Sequence, residues 1–321
     1  MDSLPVMAPA YLQVIRDRQQ TVPIGAELRT LCDALRREYG DCVAGMLFYG
    51  SCLRSGEVLD GLVDLYVIVD SYTAAYGVSA GAVLNRLLPP NVFYLELKLD
   101  QRTVRAKYAV LSMDHFQRGT AAWFQPYIWG RFAQPVGVLW VRDETASRTV
   151  LAALGQAVLM LCSTTLPMLP ARFTSKALWE RGLALSYGTE LRPERSNRNA
   201  QIFGSDDRYY RDLTAAALPH VGTSVRAAGG DDTDLYVSQQ NPLQRRFGRI
   251  AWTLRKVQGR ALHILRLIKG VFTFTGGLDY ILWKLERHSG VRIEPSDRVR
   301  RHPLIFGWGL MWRLYRRGAF R

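Results

Sequence analysis

Met46-Leu-Phe-Tyr-Gly-Ser-Cys-Leu-Arg-Ser-Gly-Glu-Val-Leu-Asp-Gly-Leu-Val-Asp-Leu-Tyr-Val-Ile-Val-Asp70 decides the reading of this chain. An apolar run ends at Gly50-Ser51, a short polar linker follows, and a second run rich in β-branched residues opens on Asp64. Apolar runs bounded by turn residues predict strands at about 44–49 and 63–69. Gly50 lets the backbone turn tightly and approach a ligand with no side chain in the way. Ser51 and the amides after it can donate to phosphate oxygens at a helix start. Asp64, at the head of its strand, is placed to hold a divalent cation, because Mg²⁺ favours one or two carboxylates plus substrate phosphates.

This strand, Gly-Ser turn, linker and acid-headed strand form the ground plan of a nucleotidyltransferase site, and the chemistry they predict is attack on the α-phosphate of a nucleoside triphosphate. An ordinary α/β turn carries Gly-Ser as well, so the motif alone is not decisive. The second carboxylate of such sites, two positions along the same strand face, is here Tyr66. The next acidic candidates are Asp60, Asp70 and Glu96. Asp60 falls in the linker and Asp70 at the far strand end, which predicts surface positions for both. Glu96 lies in Val92-Phe-Tyr-Leu-Glu-Leu-Lys-Leu99, a third strand, where a carboxylate among apolar neighbours is costly unless paired or metal-bound. It is the preferred second metal ligand, and an edge-strand carboxylate facing water is the alternative.

Further along, Arg105-Ala-Lys-Tyr-Ala-Val-Leu-Ser112 and Trp123-Phe-Gln-Pro-Tyr-Ile-Trp-Gly-Arg-Phe-Ala-Gln-Pro-Val136 are followed by Ser186-Tyr-Gly-Thr-Glu-Leu-Arg192 and Leu267-Ile-Lys-Gly-Val-Phe-Thr273. With the Gly50-Ser51 and Asp64 segments, this ordered series resembles the mitochondrial-type phosphatidate cytidylyltransferases, the translocator assembly and maintenance proteins. The resemblance implies a peripheral enzyme that makes CDP-diacylglycerol from CTP and phosphatidic acid with Mg²⁺ and releases pyrophosphate. It implies Gly50 and Ser51 as the phosphate-binding turn and Asp64 as the metal ligand. Lys107, Arg131, Glu190, Arg192 and Lys269 fall on the charged positions of the other blocks, with Lys107 and Arg131 beside Asp64 in catalysis and the rest in nucleotide or phosphate binding. Cys52 replaces the family's second glycine, Ala109 the glycine after Lys-Tyr, and Glu190 an aspartate.

The same residues also have plainer readings. A lysine at the position of Lys107 is by default a solvated strand end. Arg131 sits in an aromatic, apolar block where burial without a partner is expensive, so a pair or a ligand is expected for it. Glu190 and Arg192 could pair with each other. A planar, permanently charged fork suits arginine to phosphate.

Length admits a substantial core and two domains. The expected fold class is α/β (α+β): a nucleotidyltransferase-type mixed sheet with helices over 1–145, a mainly helical domain over 146–290 completing the active site, and a basic amphipathic tail over 291–321. An amphipathic helix is expected at 26–39, strands near 92–98, 107–111 and 135–141, one helical stretch over 113–133, and a polar loop at 227–234. Apolar stretches such as 149–160 fall short of the roughly 20 residues that cross a bilayer, and neither a secretory nor an organelle-targeting signal is evident. Cysteines 32, 42, 52 and 162 match no metal-ligand spacing and read as free thiols, and the five histidines are scattered. The expected location is bacterial and cytoplasmic, peripheral on the inner face of the membrane.

The formal net charge of +14 calls for an anionic partner. Arginines interleaved with tryptophan and tyrosine from Arg298 to Arg317 suit an anionic membrane surface. Nucleic acid, read through phosphates and stacking, is the less favoured partner. A transferase acting on nucleic acid or another lipid phosphate, and an inactive membrane-binding relative, are the alternative functions.

Overall fold

A computed structural model of the chain describes residues 8–59, 61–99, 102–191, 198–221, 225–228 and 234–273. Asp60, Arg192 and the basic tail at 291–321 lie outside the described residues. Helices α1 (Ala10–Gln20) and α2 (Ala26–Tyr39) lead into β1 (Val43–Tyr49), α3 (Ser51–Ser55) and β2 (Val63–Val69). Two short helices, α4 (Tyr72–Tyr76) and α5 (Ala80–Leu87), precede the long hairpin β3 (Asn91–Leu99) and β4 (Arg102–Ser112). After α6 (Met113–Ala121), α7 (Trp129–Phe132) and β5 (Gly137–Val141), the chain turns mainly helical. That part comprises α8 (Glu144–Thr165), β6 (Arg172–Thr174), α9 (Ser175–Tyr187), α10 (Arg198–Gly204), α11 (Asp207–Ala217), β7 (Val225–Ala227), β8 (Leu235–Ser238) and α12 (Pro242–Thr273).

The large sheet has the order β3-β4-β2-β1-β5. Only β2 and β4 run parallel, and the other pairs are antiparallel. The mixed α/β sheet with helices matches the fold class read from the sequence. Alternation along the strands explains its two coats. Val63, Leu65, Val67 and Val69 bury one face of β2 against Leu28, Leu31 and Leu35, the seam of α2. Tyr66 and Ile68 bury the other in a second cluster with residues of α6, α7, α8 and α9. That second cluster runs without a break from Ala44 of β1 to Trp252 of α12, across the 145/146 position.

α8 is capped by the Asp143 side chain, which accepts from the Ala146 amide at 2.8 Å. In length and composition the segment Glu144–Met168 could cross a membrane, but most of its apolar window is buried among the protein's other elements. It is the central core helix, contacting α1, α6, α7 and α9.

Two local expectations change. The single helical stretch over 113–133 is broken, because Pro126 cannot continue a helical hydrogen-bond ladder and restricts the residue before it; α6 stops at Ala121 and α7 restarts at Trp129. Within the helical part lies a three-stranded sheet, β6-β8-β7, whose strands are too short for their alternation to be read.

Candidate active site

Strand register assembles the site. Tyr49 of β1 stands opposite Asp64 of β2, Asp64 opposite Lys107 of β4, and Lys107 opposite Tyr94 of β3, so these four share one face in one row. Lys107 Nζ lies 3.0 Å from Asp64 Oδ1. The turn that ends β1 closes on the same carboxylate. Gly50 has φ +94°, and a Cβ built there would come within 2.7 Å of Asp64 Oδ2. Glycine is therefore required twice over, by the left-handed backbone and by the closeness of the acid. Ser51 opens α3 and is exposed; the first amides of a helix have no intrahelical partner.

The next row along the sheet is Leu47, Tyr66, Ala109 and Val92. Tyr66 is 1 % exposed, packed edge-on against Phe132 with 4.8 Å between ring centres. Burial raises its phenol pKa well above the ordinary range. The position two residues after Asp64 is thus core rather than cleft, and a carboxylate there would have no water. Ala109, small where the family has glycine, stands beside Tyr66 in that core. Cys52, at the family's second glycine, is also turned inward: its thiol donates to the Leu62 carbonyl at 3.1 Å and fastens the linker before β2.

Above Tyr66 lies a buried ion pair. Arg131, on α7, places Nη2 2.7 Å from Glu190 Oε1, and both side chains are almost fully buried. Burial opposes the guanidinium charge, yet Glu190 and the neighbouring tyrosines hold its pKa above the ordinary value. Arg131 also stacks on the Tyr127 ring, 3.8 Å from its centre, and donates to the Tyr127 carbonyl. Close packing makes this possible. A Cβ on Gly130 would fall 2.9 Å from Ser186 Cβ, so glycine lets α7 meet the end of α9, and Gln134 ties the two by donating to Tyr187 Oη at 3.0 Å.

α12 crosses this wall. Gly248 rests on Pro167, Trp252 donates to the Thr164 carbonyl at 2.9 Å, and Gly259 sits where a Cβ would meet Thr189 Cβ at 2.7 Å. Two turns later Arg266 stacks on Tyr127 at 3.9 Å and donates to the Pro89 carbonyl at 2.9 Å. Lys269, 6 % exposed, donates to the Leu88 and Pro90 carbonyls. Burial, with Arg266 adding to it, lowers its pKa to about 7.

The structure therefore brings Gly50, Asp64 and Lys107 together, and Arg131 and Glu190 together, with Tyr66 between the two groups. Glu96 stands one row beyond Asp64 on the outer strand β3, where it accepts from Tyr94 Oη at 2.8 Å and from Arg105 Nε at 2.9 Å. Tyr127 and Arg266 were missed by sequence reasoning. Their signal was an aromatic inside one motif block and an arginine immediately before another, but nothing in spacing says that positions 127 and 266 meet. Asp64 is a single carboxylate beside an open glycine turn, and no cluster of three metal-binding side chains occurs among the described residues. That donor set fits a Mg²⁺ ion arriving with a polyphosphate better than one held by protein groups alone.

A solved structure of similar fold description, a nucleotidyltransferase-like protein from Exiguobacterium sibiricum, aligns with 12 % identity over 92 % of each chain and a TM-score of 0.26. A score that low leaves the two backbones far from superposable, so the fold rests on the sheet described above. No curated protein matches the chain. The family model for phosphatidate cytidylyltransferase, mitochondrial, matches residues 70–218, the segment holding Lys107, Arg131 and Glu190, with Gly50, Asp64 and Lys269 to either side of it. Over that segment, a little under half of its length, the chain is similar to the mitochondrial-type phosphatidate cytidylyltransferases, and a nucleotidyltransferase is the enzyme class that this similarity supports.

Proposed function

We propose that the chain transfers the cytidylyl group of CTP to the phosphate of phosphatidic acid at a membrane surface. The observation that carries the lipid acceptor is the two-sidedness of α12. Its outer face shows a continuous exposed apolar stripe, Leu243, Phe247, Ile250, Leu254, Val257, Ala261, Ile264 and Ile268, at the 3–4 residue spacing of one helix side. Exposed Arg246, Arg249, Lys256 and Arg260 flank it. An apolar stripe with a basic border suits an anionic bilayer surface. The inner face of the same helix carries Arg266 and Lys269 to the wall of the site. Nucleic acid would be met by the charges but not by the stripe.

CTP would lie with its phosphates on the Gly50-Ser51 turn, and Asp64 would hold Mg²⁺ against them. A bound Mg²⁺ would neutralise phosphate charge. Lys107, 3.0 Å from the Asp64 carboxylate, keeps that charge in place and offers a cation to the triphosphate. The phosphate monoester of phosphatidic acid attacks the α-phosphorus in line; a new P–O bond forms, the bond to the β-phosphate oxygen breaks, and pyrophosphate leaves with the electron pair. The protein's part is positioning and charge neutralisation. The acceptor is already ionised near neutral pH, so no general base is needed.

The experiment is pyrophosphate release by the purified protein with each of the four nucleoside triphosphates, Mg²⁺ and phosphatidic acid in mixed micelles. Release with CTP only when the lipid is present, with CDP-diacylglycerol as product, is the expected result. Lipid-independent release that instead requires an RNA or DNA primer would overturn the reading.

A further inference from the structure

Arg266 has more donors than the fold uses. An arginine carries five N–H donors in a fixed fork, and among the described residues only Nε has an acceptor, the Pro89 carbonyl at 2.9 Å. Its guanidinium shares the Tyr127 ring with Arg131. Arg131 is neutralised by Glu190, whereas Arg266 makes no ion pair among the described residues. A largely buried cation set against a second cation is unfavourable, and its pKa is drawn down by burial, with Arg131 adding to the effect. The ring offsets part of this through a desolvated cation–π contact. Anchoring α12 does not require the charge, because Lys269 already bonds the carbonyls on either side of Pro89.

Resting on the cytidylyl-transfer reading above, we propose that Arg266 receives the phosphate monoester of the lipid acceptor, its planar fork closing on two phosphate oxygens. The triphosphate has its own ground at Gly50, Asp64 and Lys107, on the strand ends. Arg266 lies against the Tyr127 ring on the inner face of α12, the helix whose opposite face carries the apolar stripe that would meet the bilayer. Bidentate phosphate contacts are those that arginine makes and lysine does not.

The test compares wild type, Arg266→Gln and Arg266→Lys in full-length protein with short-chain phosphatidic acid in mixed micelles, measuring KM for lipid and for CTP separately. Arg266→Gln is expected to raise the lipid KM by about tenfold or more, the size of a lost charge-assisted hydrogen bond, with the CTP KM within about twofold. Arg266→Lys, which keeps the charge and loses the fork, is expected to fall between the two. An unchanged lipid KM, or a rise in the CTP KM instead, overturns the assignment. If Arg266→Gln does not fold, the lysine variant decides by the same two constants. A wild-type protein that releases no pyrophosphate with the lipid overturns the transfer reading together with this one; an active wild type with an indifferent Arg266→Gln overturns this one alone.

Discussion

Gly50 and Asp64 are a single device: the acid is brought so near the turn that only glycine fits between. Gly50→Ala forces a side chain into a left-handed backbone and toward Asp64 Oδ2 at 2.7 Å. It is expected to cost about 1–3 kcal/mol of stability and to remove most pyrophosphate release, checked by thermal melting beside the CTP assay. The Arg131–Glu190 pair is the opposite case, where the cost is in burial and the partner prevents a penalty. Arg131→Met leaves a buried carboxylate and is expected to destabilise by about 3–5 kcal/mol in urea titration, whereas Arg131→Met with Glu190→Leu recovers most of that. A double variant no more stable than the single would mean that the pair does not act as a unit. Lys269 gives the pH dependence. The folded chain binds its proton only below about pH 7, against 10.5 for the ordinary lysine. Folding therefore releases this proton between those values, and stability rises with pH through that window, being lowest below it. The melting temperature of wild type is expected to climb more from pH 6 to pH 8.5 than that of Lys269→Met, measured in parallel so that other titrating groups cancel.

Among the elements, α12 does two jobs with two faces. Glycines at 248 and 259 and the hydrogen bonds of Trp252, Arg255, Arg266 and Lys269 hold its inner face against the end of α8, the loop before α7, the residues after α9 and the turn before β3. Its outer stripe includes Phe247 at 67 % and Val257 at 65 % exposure, and these side chains contribute nothing to the described core. Phe247→Glu with Val257→Glu should leave the melting temperature near wild type and reduce binding to anionic vesicles by about tenfold or more, each glutamate also opposing the surface charge. Activity on vesicles should fall more than activity in detergent micelles. Equal losses in both would place the stripe in folding rather than in membrane contact.

Taken whole, the molecule carries Asp64, Tyr66 and Lys107 on the face of the sheet that the helical part covers. Because one apolar cluster extends from Ala44 to Trp252, the sheet and the helices after it are expected to unfold as a unit, with tryptophan fluorescence and far-ultraviolet circular dichroism giving coincident denaturation curves. Two separated transitions would show that the halves at 1–145 and 146–290 are energetically independent.

The sequence by itself determined the strands that carry the chemistry, since apolar runs bounded by turn residues over 44–49 and 63–69 are local signals and both strands are buried almost throughout. It also placed Gly50, Asp64, Lys107, Arg131 and Glu190 in motif blocks, because each block is a short segment whose residue types already suit phosphate chemistry. Tertiary structure alone decided who meets whom. Register across three strand pairs sets Lys107 beside Asp64 and leaves Glu96 one row away with Arg105. Tyr66 became core rather than ligand because α7 covers it. Arg266 reaches Tyr127 across a separation of 139 positions (266 − 127) only because Gly259 lets α12 lie down on Thr189. Local propensity reports which face a residue takes within its own element. Which faces are pressed together follows from burying apolar area over the whole chain, and no short window of sequence contains that sum.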